Sequence, residues 1–169
     1  MVKASSEGTD MEPAFEDKWV IERIIRLANH ARSRGDSAVG CVIARDGVII
    51  AEAFEQVNSA IDAAGHAEIL AIRLACRALD SLDLTGCTLF TNVEPCWMCS
   101  YAIRDTGISE VVIGMAVPDI GGVTSRYPIL SDPDIDGWRD PPVIRWVAFD
   151  YVVGSRQAAQ VGPWSFRSP

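Results

Sequence analysis

His66, Cys96 and Cys99 are three side chains suited to a soft metal ion, and Glu68 is a carboxylate two residues beyond the first of them. They occur in two short stretches, Gly65-His66-Ala67-Glu68 and Glu94-Pro95-Cys96-Trp97-Met98-Cys99. Three protein ligands leave the fourth position of a tetrahedral zinc open for water, whereas a structural zinc is normally closed by four. On a regular helix His66 and Glu68 are about 200° apart, because each residue turns the chain by about 100°. They can serve one metal only if it lies off the helix N-terminus. Cys96 and Cys99, at i and i+3, share a face, and a helix N-terminus aimed at the metal favours both as thiolates. The spacing therefore predicts two helix N-termini meeting at one His-Cys-Cys zinc. Glu68, not needed as a ligand, is free to take a proton from water and hand it to a leaving group. Spacing alone leaves that leaving group open. The non-enzymatic alternative is a zinc-stabilised binding module closed by Cys76 or Cys87, and it gives Glu68 no task.

Positioning these residues requires regular elements on both sides of each motif. Residues 1–11 are small, polar and aperiodic and read as a disordered end. Pro13 with Glu12, Glu16 and Asp17 opens a helix, whose apolar face is Val20, Ile24, Leu27 and Ala31 and whose stop is Gly35. His30 on that helix reads as a solvated or capping histidine. Residues 38–44 and 48–54 are apolar runs around Asp46-Gly47, a hairpin signal, and Cys41 in the first run reads as a small buried hydrophobe. A loop over 55–64 leads into a helix over 67–79, and a strand over 88–93 leads into a helix that Pro95 opens and Gly107 stops. A strand follows over 110–115, and another over 143–149 comes after an aperiodic stretch from 117 to 142. A segment of that length without periodicity is uncommon in a compact domain and is often functional. Residues 150–160 read as weakly helical, and 162–169 form an aromatic tail. The order β-β-α-β-α-β implies a sheet with crossover helices, hence a single layered α/β domain over 1–169.

Composition narrows what such a site can serve. A chain of 169 residues, 49% of them hydrophobic, buries a large core without metal or disulfide staples, so zinc is available for chemistry. With 23 Asp+Glu against 15 Lys+Arg the net charge is −8, which argues against a broad phosphate-binding face and hence against a nucleic-acid partner. No apolar run has the length of a membrane span and the start has no signal-peptide pattern. Five cysteines, two of them in C-x-x-C, fit a reducing compartment better than a disulfide framework, so the expected location is cytoplasmic.

His66-Ala67-Glu68 together with Pro95-Cys96-Trp97-Met98-Cys99 resembles the zinc-dependent cytidine and nucleobase deaminase superfamily, whose signature pairs H-x-E with P-C-x-x-C. Asp62 before the histidine, the run Glu68-Ile69-Leu70-Ala71-Ile72-Arg73 and the stretch Leu89-Phe90-Thr91-Asn92-Val93-Glu94-Pro95-Cys96 extend the likeness over about 39–114. It is most similar to the branch holding guanine deaminases, fungal-type cytosine deaminases and tRNA-adenosine deaminases. The resemblance implies a cytidine-deaminase-like α/β fold of three α-β-α layers with a central mixed sheet of about five strands, Zn2+ held by His66, Cys96 and Cys99, and Glu68 as the proton shuttle. It also implies main-chain amides at Ala67 and near Cys96 that bind the ring and the attacking oxygen, and a homodimer. The reaction would be hydrolysis of a C–N bond of a cyclic amidine, releasing ammonia.

The chain departs from that family in places that bear on substrate. The family often carries an Asn eleven residues before the motif histidine, where it binds the base; here that residue is Glu55, and Asn58 is the nearest Asn. Either Asn58 slides into place or Glu55 takes the role, and a carboxylate there suits an amino-rich ring such as guanine or an amino-triazine. Trp97 stands where a small residue is common. Asp119, beside Gly121-Gly122, occupies a region that is acidic near the base in guanine deaminases, and the glycines allow close backbone approach to a ligand. Trp164 and Phe166 resemble tail aromatics that close free-base deaminases over the ring. The expected substrate is a free nucleobase or similar small aminated heterocycle, guanine-like, cytosine-like or amino-triazine. The alternatives with the same chemistry are adenosine in tRNA, whose deaminases usually carry basic C-terminal helices, and a nucleoside.

Overall fold

The computed structural model describes residues 17–148. The helix opening at 13–16, the weak helix over 150–160 and the aromatics Trp164 and Phe166 lie outside the described residues. Eight elements follow one another: α1 (Lys18–Ser33), β1 (Gly40–Arg45), β2 (Val48–Phe54), α2 (Ala67–Leu79), β3 (Thr88–Val93), α3 (Trp97–Asp105), β4 (Glu110–Met115) and β5 (Val143–Trp146). The five strands form one mixed sheet in the order β2-β1-β3-β4-β5. β1 is antiparallel to both β2 and β3, whereas β3, β4 and β5 run parallel.

Alternation along the strands sorts the core onto the two faces of this sheet, since successive side chains point to opposite sides. Val42, Ala44, Phe90 and Val112 face α1 and pack with Val20, Ile21 and Ile24. Cys41, Ile43, Leu89, Val111 and Ile113 face the other way and pack with Ala67, Ala71, Ile72 and Ala75 of α2 and Ile103 of α3. Both faces are apolar because both are covered, so the central strands read as continuous hydrophobic runs. The result is three layers, with α1 on one face and α2 and α3 on the other.

The turn Asp46-Gly47 has positive φ at both residues, 51° and 74°, the primed geometry that matches the twist of a two-residue hairpin. Three details differ from the sequence reading. α1 buries Ile21 and Ala28 in addition to Val20, Ile24 and Ala31, while Leu27 is only partly buried. Its apolar stripe is wider than one i, i+3, i+4 row because the helix lies across β1 and β3 together. α3 begins at Trp97 with Cys96 as its N-cap, so Pro95 precedes the cap instead of occupying the first helical position. β5 stops at Trp146. Asp17 and Glu110 both bond Arg145 and tie α1, β4 and β5 together. All five cysteines are free, and no helix among the described residues is long and apolar enough to cross a membrane.

Candidate active site

His66 and Cys96 are the N-cap residues of α2 and α3, each in extended conformation (φ −68°, ψ 143° and φ −67°, ψ 173°). Being outside the helices proper, both can turn their side chains toward the region ahead of the first turns, which resolves the 200° conflict between His66 and Glu68. Cys99 lies in the first turn of α3. The two N-termini meet: His66 Nδ1 is 3.7 Å from Cys96 Sγ, and Cys96 Sγ is 3.6 Å from Cys99 Sγ. The three ligand atoms all lie within 4.8 Å of one another. Tetrahedral zinc with ordinary Zn–S and Zn–N bonds has edges of about 3.8 Å between two sulfurs and about 3.6 Å between sulfur and nitrogen. The donor set and its spacing therefore fit zinc. Cys76 and Cys87 lie outside this group, and Glu68 stands beside it: the thiol of Cys99 donates to Glu68 Oε2 at 3.5 Å.

The ionisable groups of the cluster shift one another's protonation. Glu68 is 3% exposed, and burial, followed by the negative charges of Cys96 and Glu55, pushes its carboxyl up. A hydrogen bond with Cys99 and another with His66 pull the Cys96 thiol down to about 4. The Cys99 thiol is pushed up by its bond to Cys96, by burial and by the nearby Glu68 charge. A divalent ion among these atoms would reverse the Cys99 shift and reinforce that of Cys96, because a coordinated thiol is deprotonated.

Glu55 reaches the site and Asn58 does not. Glu55, 3% exposed, accepts the main-chain N–H of Ala67 at 3.1 Å. Burial raises its carboxyl to about 7 against the opposing charge of His66. The Ala67 amide, expected to hold a ring, is thus occupied by a carboxylate of the protein itself. Asn58 is turned the other way: its side chain donates to Gly35 O at 3.1 Å and its own N–H to Asp36 Oδ1 at 2.7 Å. Trp97 sits at the rim, 38% exposed, with Nε1 donating to Ser125 Oγ at 3.0 Å and its ring edge-on to Tyr127 at 5.6 Å. Asp119 stays exposed on the turn between Val117 and Gly121. The close approach allowed by Gly121 and Gly122 is to the protein, not to a ligand. A Cβ on Gly121 would lie 2.1 Å from the carboxyl carbon of Glu94, and one on Gly122 would lie 2.0 Å from Ser100 Oγ.

Two residues that sequence reasoning missed organise the stretch from 117 to 142. Glu94 accepts from Val117 N, Val123 N, Thr124 N and Thr124 Oγ1. Arg104, 2% exposed, donates to the carbonyls of Ile129, Asp132 and Arg139. A buried anion gathering amides and a buried cation gathering carbonyls do the work that helix or sheet ladders do elsewhere. Neither has a sequence signal, since all their partners but the Thr124 hydroxyl are backbone groups.

A second hollow, lined by Asp17, Trp19, Arg45, Phe90, Glu110 and Arg145, lies at the opposite ends of β3 and β4. Asp17 and Glu110 there are both paired with Arg145, and among the described residues the side chains grouped for a metal are His66, Cys96 and Cys99.

Residues 15–115 match the family described as the cytidine and deoxycytidylate deaminase zinc-binding region. The chain is 37% identical over 119 residues to a tRNA-specific adenosine deaminase of Aquifex aeolicus (strain VF5), an alignment covering 70% of this chain and 79% of that one. Among solved structures it is similar to one from studies of A-to-I editing by tRNA:A34 deaminases at the wobble position of transfer RNA. That likeness has a TM-score of 0.72 at 31% identity and covers 78% of this chain and 98% of the other. It is also similar to guanine deaminase from Bacillus subtilis, with a TM-score of 0.54 and 37% identity over 57% of this chain and 62% of that one.

Proposed function

Since the chain belongs to the zinc-dependent cytidine and deoxycytidylate deaminase family, we propose that this hydrolytic deaminase acts on adenosine presented in tRNA. The observation that carries the reaction is the three-ligand cluster with Glu68 beside it. His66, Cys96 and Cys99 would hold zinc, which when bound supplies Lewis-acid activation of water near neutral pH. Glu68, buried and raised toward neutrality by its surroundings, takes a proton from water and delivers it to the departing nitrogen. The hydroxyl oxygen becomes bonded to the ring carbon, the C–N bond breaks, and ammonia leaves. For adenosine the product is inosine.

The tRNA substrate is supported by the relatives' activities and by the shape of the mouth. His66 and Cys96 are half-buried and not enclosed, and Trp97 and Tyr127 are exposed beside them, as a base turned out of a larger molecule requires. A free aminated heterocycle is the second reading, favoured by one observation. The buried carboxyl of Glu55, in a chain of net charge −8, suits an amino-rich small ring better than a polyanion. In either case the reading includes a homodimer and a reducing, cytoplasmic setting for the free thiols.

One assay separates the two. Ammonia release is measured from an anticodon stem-loop carrying adenosine, from guanine, cytosine and adenine, from their nucleosides and from amino-triazines. Turnover of the stem-loop with a rate that falls steeply with salt supports the first reading. Turnover of a free base alone replaces it with the second. Glu68→Gln should keep zinc and lose turnover on whichever substrate is active; retained turnover would sink the mechanism.

A further inference from the structure

We infer that Glu94 is a positioning residue: it clamps residues 117–124 onto the turn that carries Cys96, and so builds one wall of the site and sets the aromatic rim at its mouth. The inference rests on the proposed deaminase reading for its kinetic readout alone.

Glu94 joins the end of β3 to the metal-ligand turn, and its side chain is 3% exposed. Its Oε2 accepts Val117 N at 2.6 Å and Thr124 Oγ1 at 2.5 Å, and its Oε1 accepts Val123 N and Thr124 N, each at 2.7 Å. One carboxylate thus closes a loop at both ends, with every contact made to a donor. Gly121 passes over that carboxylate where no side chain fits. Main-chain contacts tie the same two segments: Gly121 forms a β-bridge with Cys96, and Gly122 N donates to Pro95 O at 2.9 Å.

The residue after the clamp carries its effect to the mouth. Ser125 Oγ accepts the Trp97 indole N–H at 3.0 Å and the N–H of Tyr127 at 3.3 Å. Tyr127 stands edge-on to Trp97, with the Arg126 guanidinium 5.5 Å from its ring centroid. The rim is therefore set through Thr124 and Ser125 from Glu94. The metal ligands have anchors of their own besides the bridge to Gly121: His66 and Cys96 are held as helix caps, and Cys96 O accepts Ser100 N within α3.

The test uses the full-length zinc-loaded protein with Glu94→Gln and, separately, Gly121→Ala. Glutamine keeps the shape but replaces one acceptor oxygen with a donor, so one pair of loop donors loses its partner. Alanine at 121 pushes on the same carboxylate from the loop side and leaves Glu94 intact. Three quantities are read: zinc content, hydrogen exchange at the amides of Val117, Val123 and Thr124, and kcat and KM. The expected result in both variants is unchanged zinc, exchange and KM raised on the order of tenfold, and kcat within about twofold of the parent. The double variant should be no worse than the worse single one, because both act on one contact. Amides that stay protected with KM unchanged overturn the inference, as does zinc loss while the amides stay protected. Fast exchange with unchanged KM overturns it too, since Glu94 would then support the fold only. If Glu94→Gln does not fold, Gly121→Ala decides. If the parent deaminates nothing, the proposed function fails while exchange and zinc content still judge the clamp.

Discussion

The two sides of the site are built by different means. The metal side is made from regular elements: two helices packed on one face of the sheet, each with a ligand as its N-cap. The opposite side, from 117 to 142, has no helix or strand. It is held by Glu94 from below and Arg104 from behind, through bonds to its own main chain. On the metal side α2 and α3 are held by apolar packing against the sheet, so removing a ligand should cost chemistry and little stability. On the loop side the polar contacts are the fold, so removing one should cost order first. A zinc that can be lost without unfolding is suited to catalysis.

The largest expected effect tests the first half of that contrast. Cys99→Ser should leave zinc content near zero after dialysis and lower turnover on the order of a thousandfold. Its far-UV circular dichroism and thermal midpoint should stay close to the parent, because the core of α2, α3 and the sheet does not pass through the metal. Cooperative unfolding on chelation would erase the distinction between the two sides. Next is Arg104→Met, which keeps the aliphatic stem and strips three part-buried carbonyls of their donor. A loss of about 2–4 kcal/mol, or a Tm lower by roughly 5–15 °C, is expected with zinc still bound. A change in Tm of under about 2 °C would mean that other contacts hold the loop. The smallest effect is a control. Arg23 and Glu52 form a two-bonded ion pair on the surface, 44% and 31% exposed at the side chains. Arg23→Ala should cost within about 1 kcal/mol and leave zinc and turnover alone. A larger loss there would show that exposed charge pairs matter in this acidic chain more than their solvation allows.

Much of the fold was legible because its cause is local. Asp46-Gly47 marks the hairpin since few residues take positive φ at low cost. The helix over 67–79 and the strands over 88–93 and 110–115 have the observed bounds, because periodicity and flanking turn residues agree there. The fixed φ of Pro95 suits the first helical position, yet Cys96 takes the cap and turns its sulfur toward His66 and Cys99. Between Glu55 and Asn58 the chain alone offered no choice. Asn58 is claimed by Gly35 and Asp36, which tie the loop to the end of α1, and that leaves Glu55 facing Ala67.

By itself the sequence determined the candidate ligand set, the carboxylate beside it, the order of elements and the class of fold. Each of these depends on residue type and on spacings short enough for helix and strand geometry to interpret. Only the tertiary structure decided that Glu55 occupies the Ala67 amide, that Gly121-Gly122 makes room for Glu94 and Ser100 and not for a ligand, and that one anion and one cation hold the far wall. Those contacts join residues 12 to 35 positions apart. A side chain reaching across the fold to backbone N–H or C=O groups chooses its partner by position in space, and every residue presents the same backbone groups, so no residue type announces the contact.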